Sequence, residues 1–128
     1  MKVILTPEEA EKYFFNAMCN GLRYIENYDV KLTFNSDEYK QAKSVLKDTN
    51  QTTCYEDVLM QMLRMGCSLI LEDTEGVVHK HTITMKDVHE RVQDTPINHL
   101  SDMYYEWDDA DTADVILQTV FFKTIIFG

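Results

Sequence analysis

The chain has 128 residues and a formal net charge of −10, and 45% of its residues are hydrophobic. This length suits a single domain over residues 1–128, and the apolar fraction argues against global disorder. The negative charge argues against direct binding to nucleic acid or to an anionic membrane, because both need Lys and Arg. No apolar run is long enough for a signal peptide or a membrane span, so a cytoplasmic protein is predicted. The three cysteines form no C-x-x-C motif, which favours buried thiols over a zinc knuckle or disulfides: Cys19, Cys54 and Cys67.

The first part of the chain predicts two helices with a strand between them. Thr6, Pro7 and Glu9 form a capping box with proline at the first helical position. The apolar stripe of this helix passes through Gly21, where we expect another backbone to approach closely. The alternation in "VKLTF" predicts a strand near residue 30. Ser36 is expected to cap a second helix that ends at about residue 47.

A third helix and a hairpin follow. Thr53 and Glu56 match another capping box, and Gly66 is placed to end the third helix as a C-terminal glycine. Residues 68–84 then contain two short apolar segments on either side of the turn "DTEG". This pattern predicts a β-hairpin.

The next two helices are predicted from their first residues. Thr84 with Asp87 matches a cap, and Thr95 with Pro96 repeats the opening of the first helix. Helical spacing assigns an inward-facing stripe to the fifth helix, formed by Ile97, Leu100, Tyr104 and Trp107. Tyr105 lies off this stripe and is expected to be more exposed.

The most apolar stretch of the chain is its last one, "VILQTVFFKTIIFG". Asp109 or Asp111 is expected to cap the helix that contains it, with Thr119 and Lys123 as its polar side. Burial of this stretch in the core is preferred, and a homodimer through this C-terminal apolar segment is the alternative. The whole order predicts an α+β fold, in which a small antiparallel sheet with a β-hairpin at about residues 68–84 is covered by five or six helices and the C-terminal helix is buried.

Histidines offer a second hypothesis. His79 and His81 are two residues apart on a predicted strand and share a face, and His89 follows on the next helix. Such a set resembles the ligands of a zinc enzyme, which makes a small metal-dependent enzyme an alternative function. The solvent face of an antiparallel hairpin is where polar side chains normally lie, so this interpretation is preferred and no cofactor is predicted.

Two stretches resemble a known group of proteins. "YEDVLMQMLRMGCSLILEDTEGVVHKHTITMKDVHERV" combines a helix, a glycine, a strand ending in D-x-E-G, a return strand and an I-T-x-x-D-V helix, and "DDADTADVILQTVFFKTIIFG" is an acidic segment followed by an apolar terminus. Together, over about residues 53–128, they resemble small acidic proteins of tailed phages and gut-bacterial genomes, a group without a settled activity. The resemblance implies a phage or prophage accessory protein and carries over no catalytic residue.

The leading hypothesis is therefore a non-enzymatic module that binds a host or phage protein or a small ligand. One way for it to act is that an acidic surface mimics the charge of a nucleic acid and recognises a basic partner. An oligomeric assembly protein is a further alternative. The candidate binding residues lie at the hairpin turn and before the last helix: Glu72, Asp73, Glu75, Tyr105, Asp108, Asp109 and Asp111.

Overall fold

The computed structural model describes residues 3–73 and 80–127. Over these residues the chain forms six α-helices, a single 3₁₀ turn and one three-stranded sheet, which confirms the α+β fold. The elements in chain order are α1 Pro7–Glu26, β1 Val30–Thr33, α2 Ser36–Asp48, α3 Tyr55–Arg64, β2 Leu69–Asp73, β3 Lys80–Ile83, α4 Met85–Arg91, the 3₁₀ turn Val92–Asp94, α5 Ile97–Tyr104 and α6 Ala110–Phe122.

The sheet has the order β1-β2-β3, and both strand pairs are antiparallel. Leu71 at its centre lies opposite Leu32 on β1 and opposite His81 on β3. Both strands of the predicted hairpin are confirmed. The turn residues 74–79, which include Glu75 and His79, lie outside the described residues, as does the side chain of Asp73.

The core is built around the pairing of α1 with α6. A Cβ added to Gly21 would lie 2.7 Å from the Cβ of Ala113, so only glycine allows the two backbones to come this close. Phe14 and Phe121 pack further along the same pair, with ring centroids 6.2 Å apart. The close approach predicted at Gly21 is therefore confirmed, and α6 is its partner.

The burial predicted for the C-terminal helix is also confirmed, since α6 is enclosed on most sides by the single core. Thr119 was expected on a polar face, but it is buried and its hydroxyl donates to the carbonyl of Val115 at 2.7 Å. A hydroxyl that bonds to its own helix can enter a core at little cost, which helical spacing does not reveal.

The chain beyond α6 is held by one buried amide. The side-chain oxygen of Gln118 accepts hydrogen bonds from the backbone N–H groups of Ile126 and Phe127, and its nitrogen donates to the carbonyl of Phe127. The ring of Phe127 stacks on Tyr28 with centroids 4.6 Å apart. Gln118 is fully buried because these bonds satisfy its amide.

Helix starts agree only partly with the sequence predictions. The capping boxes at Thr6 and Thr84 are confirmed. The N-caps of α2, α3 and α5 are instead Asn35, Cys54 and Pro96. Each lies one residue from the predicted cap, because the backbone carbonyl that accepts the first helical bond belongs to these residues.

The cysteines also differ from expectation. Cys19 and Cys54 are exposed, and Cys67 is partly buried, so the prediction of three buried thiols is wrong. Cys54 is exposed because it precedes the first turn of α3 as its N-cap. Among the described helices, none has the length and apolar character needed to cross a bilayer.

Candidate binding surface at the end of α5

The outward face of α5 carries large apolar side chains. Ile97 is 65% exposed, Tyr104 is 66% exposed and Trp107, just beyond the helix, is 72% exposed. Leu100 and Met103 are the residues of α5 that face the core. The predicted inward stripe is therefore wrong except at Leu100, because a short helix needs only one narrow contact line to be anchored.

The end of α5 turns the chain so that its aromatic rings come together. Glu106 has a left-handed backbone with φ of 61°, and the N–H of Trp107 donates to the carbonyl of Asp102 at 2.8 Å. The N–H of Glu106 donates to Met103 at 3.2 Å, which completes a Schellman motif. This reversal brings Trp107 back over Tyr105 instead of away from the helix.

Three rings form a continuous exposed group, here called the aromatic cluster: Tyr104, Tyr105 and Trp107. Tyr105 and Trp107 are stacked with centroids 5.1 Å apart, and Tyr104 meets Tyr105 edge-on at 5.0 Å. Trp107 is the single tryptophan of the chain. The exposure expected for Tyr105 is confirmed, and the core packing expected for Tyr104 and Trp107 is wrong.

Carboxylates surround the aromatic cluster in the sequence and continue into α6. Asp108 accepts a hydrogen bond from the side-chain nitrogen of Asn20 at 2.9 Å. Asp109 caps α6 by accepting from the N–H of Thr112 at 3.0 Å, and this bond lowers the pKa of Asp109 below its ordinary value. Asp111 lies exposed in the first turn of α6.

The aromatic cluster and the carboxylates next to it form one surface, which we call the acidic–aromatic surface. It consists of seven residues: Tyr104, Tyr105, Glu106, Trp107, Asp108, Asp109 and Asp111. Four of the sequence-predicted binding residues thus belong to one segment, between α5 and α6. Asp109 has a structural role as a cap, yet it still contributes negative charge, since its hydrogen bond favours the ionised form.

The acids of the hairpin lie in a different setting. Glu72 lies opposite Lys31 on β1 and opposite Lys80 on β3, so two cations flank it across the sheet. The Nζ of Lys31 is 4.0 Å from Glu72. A carboxylate between two lysines adds little to an acidic field, and Glu72 is better explained as a cross-strand partner.

The histidines of the metal hypothesis contact different elements. His81 meets the ring of Phe122 on α6 edge-on at 4.9 Å, whereas the Nε2 of His89 lies 3.0 Å from a carboxylate oxygen of Glu11 on α1. Within residues 3–73 and 80–127, no group of three His, Cys, Asp or Glu side chains is arranged to hold a metal ion. His79 lies outside these ranges.

A groove adjoins the aromatic cluster on the side of the N-terminal segment. Its volume is about 280 Å³, and its walls come from residues before α1, from α1 itself and from α5: Val3, Leu5, Glu9, Tyr13, Ile97, Leu100, Ser101, Tyr104 and Tyr105. Burial raises the pKa of Tyr13, with a smaller contribution from the charge of Glu9. Sequence reasoning missed this groove because it assigned Ile97 and Tyr104 to the core. The pair "YY" was the available signal, since two adjacent helical residues cannot both lie on one narrow core-facing stripe and at least one of the rings had to remain outside.

No protein-family model, no curated protein and no solved structure matches this chain significantly. What the surface does must therefore be inferred from its own side chains. Their chemistry combines exposed rings, a concave apolar wall and fixed negative charge.

Proposed function

We propose that the protein is a binding module, of phage or prophage origin, that recognises a basic partner protein through the acidic–aromatic surface. The resemblance of residues 53–128 to phage-encoded proteins supports the origin. The geometry around Trp107 supports the binding role. The partner is a host or phage protein whose own basic site ordinarily holds nucleic acid.

The observation that carries this proposal is the exposed Trp107, stacked on Tyr105 at a backbone turn that no glycine eases. Tryptophan and tyrosine are the residues most enriched in the energetic centres of protein interfaces. The left-handed backbone at Glu106 reverses the chain and sets Trp107 against Tyr105. Asp29, Asn50 and Lys123 are left-handed as well, so the proposal rests on the exposed ring pair and not on the cost of this backbone conformation.

Charge supports the class of partner. Between Ser101 and Asp114 the chain contains six acidic residues and no Lys or Arg: Asp102, Glu106, Asp108, Asp109, Asp111 and Asp114. A concentrated negative field attracts basic proteins and speeds their association. Arginine and lysine also bind the faces of tryptophan and tyrosine. Rings and carboxylates therefore select the same kind of side chain.

The test compares capture of proteins from a bacterial lysate by immobilised wild type and by two variants. Tyr105→Ser with Trp107→Ser removes the stacked pair, and Tyr24→Ser removes an exposed tyrosine on α1 as the matched control. We expect the double variant to lose specific basic proteins that wild type and the control both retain. Equal capture by all three would contradict the proposal.

Salt separates the electrostatic part of the proposal from the aromatic part. Raising the ionic strength shortens the range of the acidic field, so capture of the basic partner should weaken. Added double-stranded DNA should compete for the same partner. Capture that resists both salt and DNA would contradict charge mimicry.

A further inference from the structure

We infer that the groove between the N-terminal segment and α5 receives an apolar side chain of the same partner, so that the recognised segment combines an apolar anchor with neighbouring Lys or Arg. This inference rests on the proposed function and specifies its partner. The groove and the aromatic cluster share two residues, Tyr104 and Tyr105, so one bound segment touches both.

The groove is preformed by contacts on both sides. The backbone N–H of Leu5 donates to the side-chain oxygen of Gln93 at 3.1 Å, which ties the N-terminal segment to the 3₁₀ turn before α5. On the opposite wall, Leu100 is buried and anchors α5 to the core. A wall held in this way loses little conformational freedom on binding, which favours affinity.

The size and chemistry of the groove favour a protein side chain over a cofactor. Its volume of about 280 Å³ is at the lower limit for small-molecule sites, which begin at about 300 Å³. Among the described residues, Glu9 is the charged residue of the wall, and Ser101 and the tyrosine hydroxyls are its other polar groups, so the remaining wall is aliphatic and aromatic. Leucine, methionine or phenylalanine matches such a concave apolar wall.

Charge complementarity selects a basic partner over a second copy of this chain. The carboxylate of Glu9 is held at the groove by the N–H of Thr6 at 2.9 Å, and the acidic–aromatic surface begins at its other side. Two copies that each carry a net charge of −10 would bring like charges together at this surface. A partner segment with Lys or Arg beside its apolar residue meets opposite charge on both flanks.

The test uses short fluorescein-labelled peptides and measures fluorescence polarisation. The first peptide pool has one central Phe, Leu or Met flanked by Lys and Arg, the second replaces the central residue by Ser, and the third replaces the basic residues by Gln. We expect the first pool to bind at least about ten-fold more tightly than the second, and the third to bind weakest.

Ile97→Ser tests the groove itself, because Ile97 is an exposed wall residue whose loss leaves the core intact. This substitution should weaken the binding of the first peptide pool about ten-fold and leave the affinity of the second pool unchanged. Tyr24→Ser should change neither. If Ile97→Ser has no effect while Tyr105→Ser with Trp107→Ser weakens both basic pools, the groove inference is wrong and the proposed function stands.

If neither basic pool binds and no lysate protein depends on Trp107, the proposed function fails, and the groove inference fails with it. A second copy of this chain is the other possible occupant of the groove, and light scattering tests for it by measuring the oligomeric state. A homodimer that Ile97→Ser converts to monomer would assign the groove to a second copy and overturn the assignment to a basic partner.

Discussion

The ends of α3 and α5 have the same backbone hydrogen bonds but different side chains. At the end of α3 the N–H of Cys67 donates to the carbonyl of Met62, just as Trp107 donates to Asp102 at the end of α5. The left-handed residue is Gly66 in the first case, with φ of 87°, and Glu106 in the second. Both turns are Schellman motifs.

The difference lies in what each turn supports. Met62 is fully buried, and the turn after α3 leads directly into the central strand β2. After α5 the residues at the equivalent positions are the carboxylate Asp102 and the exposed Trp107. One turn therefore closes a helix against the core with the residue best suited to it. The other turn has a non-glycine residue at the left-handed position and presents a tryptophan ring to solvent.

The largest difference in stability is expected at the residue whose carbonyl accepts the hydrogen bond of longer sequence span in each motif, Met62 in α3 and Asp102 in α5. Met62→Ala should lower the free energy of unfolding by about 2–5 kcal/mol, because it leaves a cavity in the core. Asp102→Ala at the equivalent position of α5 should change it by about 0.5 kcal/mol or less. Urea denaturation measures both. Similar losses at the two positions would mean that the end of α5 is part of the core.

A smaller effect is expected at Gly66. Gly66→Ala should destabilise the protein by about 1–2 kcal/mol, since the left-handed region is unfavourable for an L-residue. No atom lies within 4 Å of the added Cβ, so the cost is conformational and not a clash. Gly66→Asn is the control and should cost less, because asparagine tolerates this region. An equal loss in the two variants would contradict the conformational explanation.

At Glu106 a substitution is expected to raise the free energy of unfolding instead of lowering it. Glu106→Gly should stabilise the protein by about 0.5–1 kcal/mol, the relief of the left-handed backbone less the extra freedom of glycine in the unfolded chain. Thermal unfolding followed by circular dichroism measures the change. Glu106→Ala, which keeps the backbone cost, should give no such gain. If glycine and alanine behave alike, strain at Glu106 is not what distinguishes this turn.

The smallest effect is the pH dependence from Asp109, which starts α6 directly after the α5 turn. Its pKa lies below its ordinary value of 3.8, chiefly because it accepts a hydrogen bond from the N–H of Thr112. The folded state therefore gains stability above pH 3.8, and that gain is lost as the pH falls through the lowered pKa of the folded protein. At the start of α3, Cys54 makes no such bond.

This prediction is checked by melting temperatures measured from neutral pH down to about pH 2, across the range in which carboxylates protonate. Asp109→Asn keeps the cap without the charge, so its melting temperature should fall less steeply in the acid range than that of wild type. Cys54→Ala is the control at α3 and should follow the wild-type slope. Parallel curves for Asp109→Asn and wild type would show that Asp109 contributes no pH-dependent stability.

Several features could be predicted because their causes are local. The capping box at Thr6, the glycine at Gly66 and the strands of the hairpin each follow from hydrogen bonds or dihedral preferences within a few residues. The candidate site was predicted in part for the same reason. Asp108, Asp109 and Asp111 adjoin Tyr105 in the sequence, so no folding was needed to bring them together.

Helical spacing failed where neighbours decide burial. Ile97, Tyr104 and Trp107 were assigned to the core by their periodicity, yet α5 is anchored by Leu100 and Met103 and leaves the other three outside. Glu72 was counted with the acidic surface, but its charge lies between Lys31 and Lys80 through strand register. Register and helix rotation depend on residues distant in the chain.

By itself, the sequence determined the acidic character of this protein, the types and approximate order of its elements, and the apolar content that forces α6 into a core. Charge and apolar content follow from composition, and helix caps and hydrophobic periodicity depend on residues close together in the sequence. None of these features depends on contacts between distant parts of the chain. Only the tertiary structure decided that Gly21 meets Ala113, that Leu5 and Ile97 line the same groove, and that Trp107 remains exposed. These outcomes depend on which surfaces cover one another, because an apolar side chain is buried only where the rest of the chain supplies a wall against it.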